Sequence, residues 1–176
     1  GGLAAAYAFD EGAGTTAADA SGHGLTGTLS GGTTWSVGKY GTAVNLDGGD
    51  DFVNLANPTG LQLTGSMTVS AWVNSAAFPA DDAAIVSKRA GTEVGYQLDT
   101  TTDRGPRTVG FKLTSSSGSN MMRYGATTLQ LNTWYHVAGV YDATARTMNV
   151  YLNGQLDNGS LVGTVTATQQ NSANNV

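Results

Sequence analysis

Apolar residues along the chain fall in short alternating runs separated by glycine-rich and polar stretches. The clearest run sets Met67, Val69, Ala71 and Val73 against Thr68, Ser70, Trp72 and Asn74. A period of two puts these sets on opposite faces of a strand. Met148, Val150 and Leu152 alternate in the same way with Asn149, Tyr151 and Asn153. Asn153-Gly154 then supplies a type I′ hairpin turn, whose two central positions both need positive φ. The same reading predicts strands near Leu3–Phe9, Leu25–Leu29, Ala43–Leu46, Phe52–Leu55, Met67–Asn74, Ala84–Ser87, Val94–Leu98, Val109–Thr114, Met121–Gly125, Trp134–Tyr141, Met148–Leu152 and Leu161–Val165. Trp35 and Tyr40 flank a glycine-bearing turn and are expected in the core. No window carries a sustained helical stripe. Many short strands without crossover helices predict an all-β fold, an antiparallel two-sheet sandwich or barrel.

Composition narrows the class. The 176 residues include 25 glycines, and only 12% are charged, against about 7% and about 25% in average chains. Glycines turn the chain between strands, and the hydrophobic 40% still suffices for a core. The length fits one domain, and no proline-rich linker, charge run or repeat divides it. The absence of cysteine excludes a disulfide scaffold and a cysteine-zinc site. No stretch reaches the roughly 18 apolar residues of a membrane span, so membrane insertion is not expected. A net charge of −5 argues against nucleic acid as a partner. Gly1 to Asp10 lacks the basic n-region of a signal peptide. Asn158-Gly159-Ser160 is a single match to a glycosylation sequon, a weak signal.

Five segments in order resemble the laminin-G-like, concanavalin A-like lectin/glucanase sandwich. They are Ala6–Gly12 with Asp19–Gly24, Gly41–Gly48 leading to Asp51-Phe52-Val53, Met67–Val73 with Ile85–Lys88, Trp134–Asp142, and Val150–Gly154. The resemblance implies a jelly-roll β-sandwich over residues 1–176. No segment after Gly154 matches the family's closing hairpin with its acidic strand, so the resemblance implies either a domain that ends differently or a fragment lacking its last strands.

Catalysis is not expected. Glycoside hydrolysis ordinarily needs two carboxylates across the scissile bond. The laminarinase-type members carry theirs in a Glu-x-Asp-x-x-Glu run, whereas this chain has only Glu11 and Glu93, in no such run. Asp50-Asp51 and Asp81-Asp82 are adjacent pairs, which an extended strand would point to opposite faces. There is no Gly-x-Ser-x-Gly elbow, and the histidines are only His23 and His136. The resemblance carries a structural calcium site onto the turn Asp19–Gly24, with Asp19 giving its carboxylate and His23 its carbonyl. The alternative at this turn is an Asx-turn closed by Asp19 alone. The cluster Asp47-Gly48-Gly49-Asp50-Asp51 reads as a solvated hairpin turn. For a glycan, Trp72 and Tyr151 occupy the faces opposite the apolar sets, where a large ring is often simply packed under a loop, while Arg89, Arg104, Arg107, Arg123 and Tyr124 lie in or near loops, where binding usually resides; the loop edge is the expected site.

The sequence therefore predicts a non-catalytic carbohydrate-binding or adhesion module of a larger secreted or surface bacterial protein, stabilised by calcium. Its expected ligand residues are Trp72, Arg89, Arg107, Arg123, Tyr124 and Tyr151, and its expected partner is a glycan, a polysaccharide or a surface protein. The alternatives are a structural spacer that contacts proteins, and a part of a polysaccharide-degrading enzyme.

Overall fold

The computed structural model describes residues 2–79, 81–89 and 94–176. Glu93 lies outside the described residues. The fold is all-β, with antiparallel pairing throughout and a single 3₁₀ turn at Thr59–Leu61 among the described residues. The chain forms two compact units. One runs as far as Gln62 and takes in Asn175 and Val176; the other is Leu63–Asn174.

In the first unit, β1 (Thr16–Ala17), β2 (Gly27–Ser30) and β5 (Phe52–Asn54) form a sheet in the order β1-β2-β5. A separate hairpin joins β3 (Thr34–Val37) to β4 (Thr42–Asn45), with Trp35 opposite Val44. The strand expected at Leu3–Phe9 is absent. Its backbone bonds to the turn instead of a ladder: Ala6 N–H donates to Asp19 Oδ1 (3.0 Å), and Ala6 C=O accepts from Ala20 N–H (2.7 Å). Phe9 then sits at φ 56°, outside the extended region. Tyr40, expected in the core, is 71% exposed. Trp35 is half-buried, and its Nε1–H donates to Gly14 C=O.

The second unit holds two facing sheets. The five-stranded sheet has the order β14-β10-β9-β8-β7, with β7 Ala83–Ser87, β8 Tyr96–Thr101, β9 Thr108–Thr114, β10 Asn120–Gly125 and β14 Asn158–Val162. The four-stranded sheet has the order β13-β12-β11-β6, with β6 Met67–Val73, β11 Tyr135–Asp142, β12 Thr147–Leu152 and β13 Gln155–Leu156. Leu98, Val109, Phe111, Leu113 and Met121 from the first sheet meet Met67, Val137, Tyr141, Met148 and Val150 from the second, all buried. The sheets come close together at Gly139, where an added Cβ would lie 2.3 Å from the Phe111 ring. The expected turn is present: Asn153 (φ 50°) and Gly154 (φ 80°) connect Leu152 to its partner Gln155.

Near the end of the chain, one expected strand is shifted and a polar stretch is packed. The strand expected at Leu161–Val165 is shifted to Asn158–Val162. Asn158 Oδ1 accepts the Val150 N–H and fixes the start, and Gly163 at φ 78° ends the strand. The polar stretch from Gln169 is not all solvated. Gln169 N–H donates to Thr64 C=O and Gln170 N–H to Thr114 C=O, and Gln169 and Ser172 are buried.

Candidate functional site

The solvent face of the four-stranded sheet follows from register. Trp72 pairs with His136, Ser70 with Ala138, and Thr68 with Val140; across β12, Ala138 meets Tyr151 and Val140 meets Asn149. Tyr151 in turn pairs with Leu156. Because their neighbours Val69, Ala71, Val137, Val150 and Leu152 point into the core, these residues must point outward. Trp72 is 41% exposed, and the His136 ring meets it edge-on at 5.4 Å. Tyr151 is half-buried and Leu156 exposed. Reciprocal hydrogen bonds fix this end of the face: His136 N–H donates to Asn153 Oδ1 (2.9 Å) and Asn153 N–H to His136 C=O (2.7 Å). The face carries no lysine or arginine among these strand residues. Its one carboxylate, Asp142 at the far end of β11, accepts the N–H groups of Thr144 and Ala145.

The outer face of the five-stranded sheet is polar, covered by loops and largely buried. Ser87 Oγ–H donates to Gln97 Oε1 (2.9 Å), and Gln97 Nε2 donates to Asp99 Oδ2 (2.6 Å). Lys112 Nζ lies 3.2 Å from Asp99, 2.6 Å from Asp82 and 2.9 Å from Asp103. Tyr124 O–H donates to Asp103 Oδ2 (2.9 Å), and Arg104 stacks over its ring. Lys112 and Asp99 are both buried. Loss of water pushes the Asp99 carboxyl up to about 6 even though Lys112 and Gln97 pull it down. Lys112 is also desolvated, but the three carboxylates outweigh that and raise its basicity. Asp103 is held low: the hydrogen bonds from Lys112 and Tyr124 overcome its partial burial. The available signal for this hub was a lone acid in β8, Asp99, and a lone base in β9, Lys112, each inside an otherwise uncharged strand. It was missed because lysine and aspartate are ordinarily surface residues unless paired.

The structure disperses the other expected site residues. Arg123 and Tyr124 lie in β10, the strand expected at Met121–Gly125. Arg123 points between the sheets, with Nε–H donating to Met148 C=O (2.9 Å) and Nη1–H to Gly159 C=O (3.1 Å). Arg107 is buried. It donates to the carbonyls of Pro79, Asp81 and Thr100 and covers the Phe78 ring. Both guanidinium groups therefore serve backbone carbonyls instead of facing solvent. Arg89 is half-buried, and its Nη2–H donates to Asn120 Oδ1. Of the six expected ligand residues, only Trp72 and Tyr151 share a face open to solvent.

At the turn after β1, Asp19 accepts four hydrogen bonds: Ala6 N–H and Ser21 N–H on Oδ1, Ser21 Oγ–H and Leu25 N–H on Oδ2. Desolvation pushes its carboxyl up, but these bonds prevail and hold it well below the ordinary range. Ser21 also contacts His23 Nδ1 (3.0 Å). A carboxylate has about four lone-pair sites, so the hydrogen bonds use the directions calcium would need. As folded, the Asp19 carboxylate is engaged within its own turn, and the Asx-turn accounts for its geometry.

The sequence matches the family model described as the concanavalin A-like lectin/glucanases superfamily over residues 47–176. That span contains both sheets of the second unit and excludes the Asp19 turn. No curated protein matches the chain.

Proposed function

The chain belongs to the concanavalin A-like lectin/glucanase superfamily, and from that premise we propose that it is a non-catalytic carbohydrate-binding module whose ligand lies on the solvent face of the four-stranded sheet. The observation that carries this reading is the pairing of a 41% exposed Trp72 with His136, on the same face as Tyr151. Aromatic rings offer a flat apolar surface at small entropic cost, and the C–H faces of sugar rings stack on such surfaces. Thr68, Ser70 and Asn149 supply hydroxyl and amide groups beside the rings.

The carboxylates support the non-catalytic part of the reading. Asp82, Asp99 and Asp103 surround Lys112, and Glu11 accepts the Ala18 N–H at 2.7 Å. On this reading the module works outside the cell, as the recognition part of a larger secreted or surface protein.

The test is affinity electrophoresis through gels containing neutral and anionic polysaccharides. The expected result is retardation by at least one polysaccharide, lost in Trp72→Ala. Migration unaffected by every polysaccharide, or retardation that survives Trp72→Ala in full, overturns the proposal.

A further inference from the structure

Resting on that reading, we infer that the face takes an extended, uncharged glycan chain, running diagonally from Trp72 to Tyr151, rather than a terminal sugar or an anionic polymer. Register carries the first part. Trp72 stands on β6, and Tyr151 stands two strands away on β12, in the row of Ser70 and Ala138 and two residues off along the strand. With strands about 4.8 Å apart and a rise of about 3.4 Å per residue, these positions are about 12 Å apart. A single pyranose ring is too small to touch both rings, whereas a chain of several units spans them. His136 and Ala138 lie between them. Ala138 is small and buried, so the side chain that rises between the two aromatic rings is the His136 imidazole, packed edge-on against Trp72, and a chain lying flat runs over it.

Charge carries the second part. The strand residues of this face include neither lysine nor arginine, and Asp142 is satisfied by its own turn. Arg107 and Arg123, the guanidinium groups that would draw a uronate, are bonded to backbone carbonyls. In a chain of net charge −5, nothing on this face offsets the repulsion of an anionic polymer.

The experiment is titration calorimetry of the full chain. The probes are β-linked glucose, mannose and xylose oligosaccharides, from monosaccharide to hexasaccharide, with oligogalacturonides as the charged comparison, at low and high salt. The association constant should climb with chain length until both rings are covered and then level off, with no dependence on salt. Trp72→Ala and Tyr151→Ala should each remove the climb, a loss of about tenfold for the hexasaccharide. Trp72→Phe and Tyr151→Phe, which keep a ring in place, should retain most of it and guard against a folding defect. A monosaccharide that binds as tightly as the hexasaccharide overturns the inference and leaves the carbohydrate reading standing. So does a preference for oligogalacturonide that fades in salt. Failure of every sugar to bind overturns both.

Discussion

At the residue scale, the second unit depends on an ion pair, Lys112 and Asp99, placed where solvent does not reach. Lys112 gathers Asp82, Asp99 and Asp103 over the middle of the five-stranded sheet. A buried ion pair contributes little net stability compared with apolar residues of the same shape, but breaking one strands its partner in a low-dielectric site. Lys112→Met should therefore destabilise the protein by about 3–5 kcal/mol in urea unfolding. Combining it with Asp99→Asn should recover part of that loss, and strict additivity of the two changes would contradict the pairing. The sequence reading found the outward ring of Trp72 from alternation alone, because a period of two is a local property. It placed Arg107 and Arg123 at an open edge, because what buries an arginine is the fold of remote segments: Pro79 and Asp81 for one, Met148 and Gly159 for the other. Asp19 is the opposite case. Its four acceptor bonds are all made, so Asp19→Ala should lower the melting temperature, while adding a chelator to the wild type should leave it unchanged. A fall in melting temperature on chelation would show that a bound cation holds this turn.

At the element scale, strands with an apolar set facing a core were legible, and those held by other means were not. The alternating runs at Met67–Val73 and Thr147–Leu152 appear with the expected faces inward. Leu3–Phe9 has a strand-like composition, yet its backbone groups go to the Asp19 turn. β3, β13 and the two-residue β1 lacked enough alternation to be seen, and β13 exists because the Asn153-Gly154 turn folds it back onto Leu152 and Tyr151. Position 154 needs φ 80°, which an L-residue with a Cβ adopts at a cost of about 1–2 kcal/mol. Gly154→Ala should lower stability by about that amount. It should also weaken sugar binding, because Asn153 holds the end of β11 that carries His136. Loss of stability with full retention of binding would separate the turn from the site. The contact between the sheets at Gly139 is a second check: Gly139→Ala puts a methyl into the Phe111 ring. It should cost about 1–3 kcal/mol, partly relieved by Phe111→Leu.

At the scale of the whole molecule, stability should have a maximum in mildly acidic solution, and its two limbs have different owners. Asp99 titrates at about 6 in the fold against an ordinary 3.8, because burial, with the Asp82 carboxylate adding to it, costs its charge more than Lys112 and Gln97 return. Between those values the folded chain binds more protons than the unfolded one. The contribution of Asp99 is thus fully present below its unfolded pKa and lost as pH rises through about 6. Asp19 and Asp103 are shifted the other way, so what they contribute is present above the ordinary carboxylate range and lost on acidification. Urea midpoints measured across this range should rise as pH falls from about 8 to about 5, then drop at lower pH. Asp99→Asn cannot titrate, so it should flatten the neutral limb and leave the acid limb intact. A neutral limb that persists in Asp99→Asn would assign it to another group, and a wild-type midpoint constant from about pH 5 to about pH 8 would mean that Asp99 is ionised throughout that range at no cost to the fold.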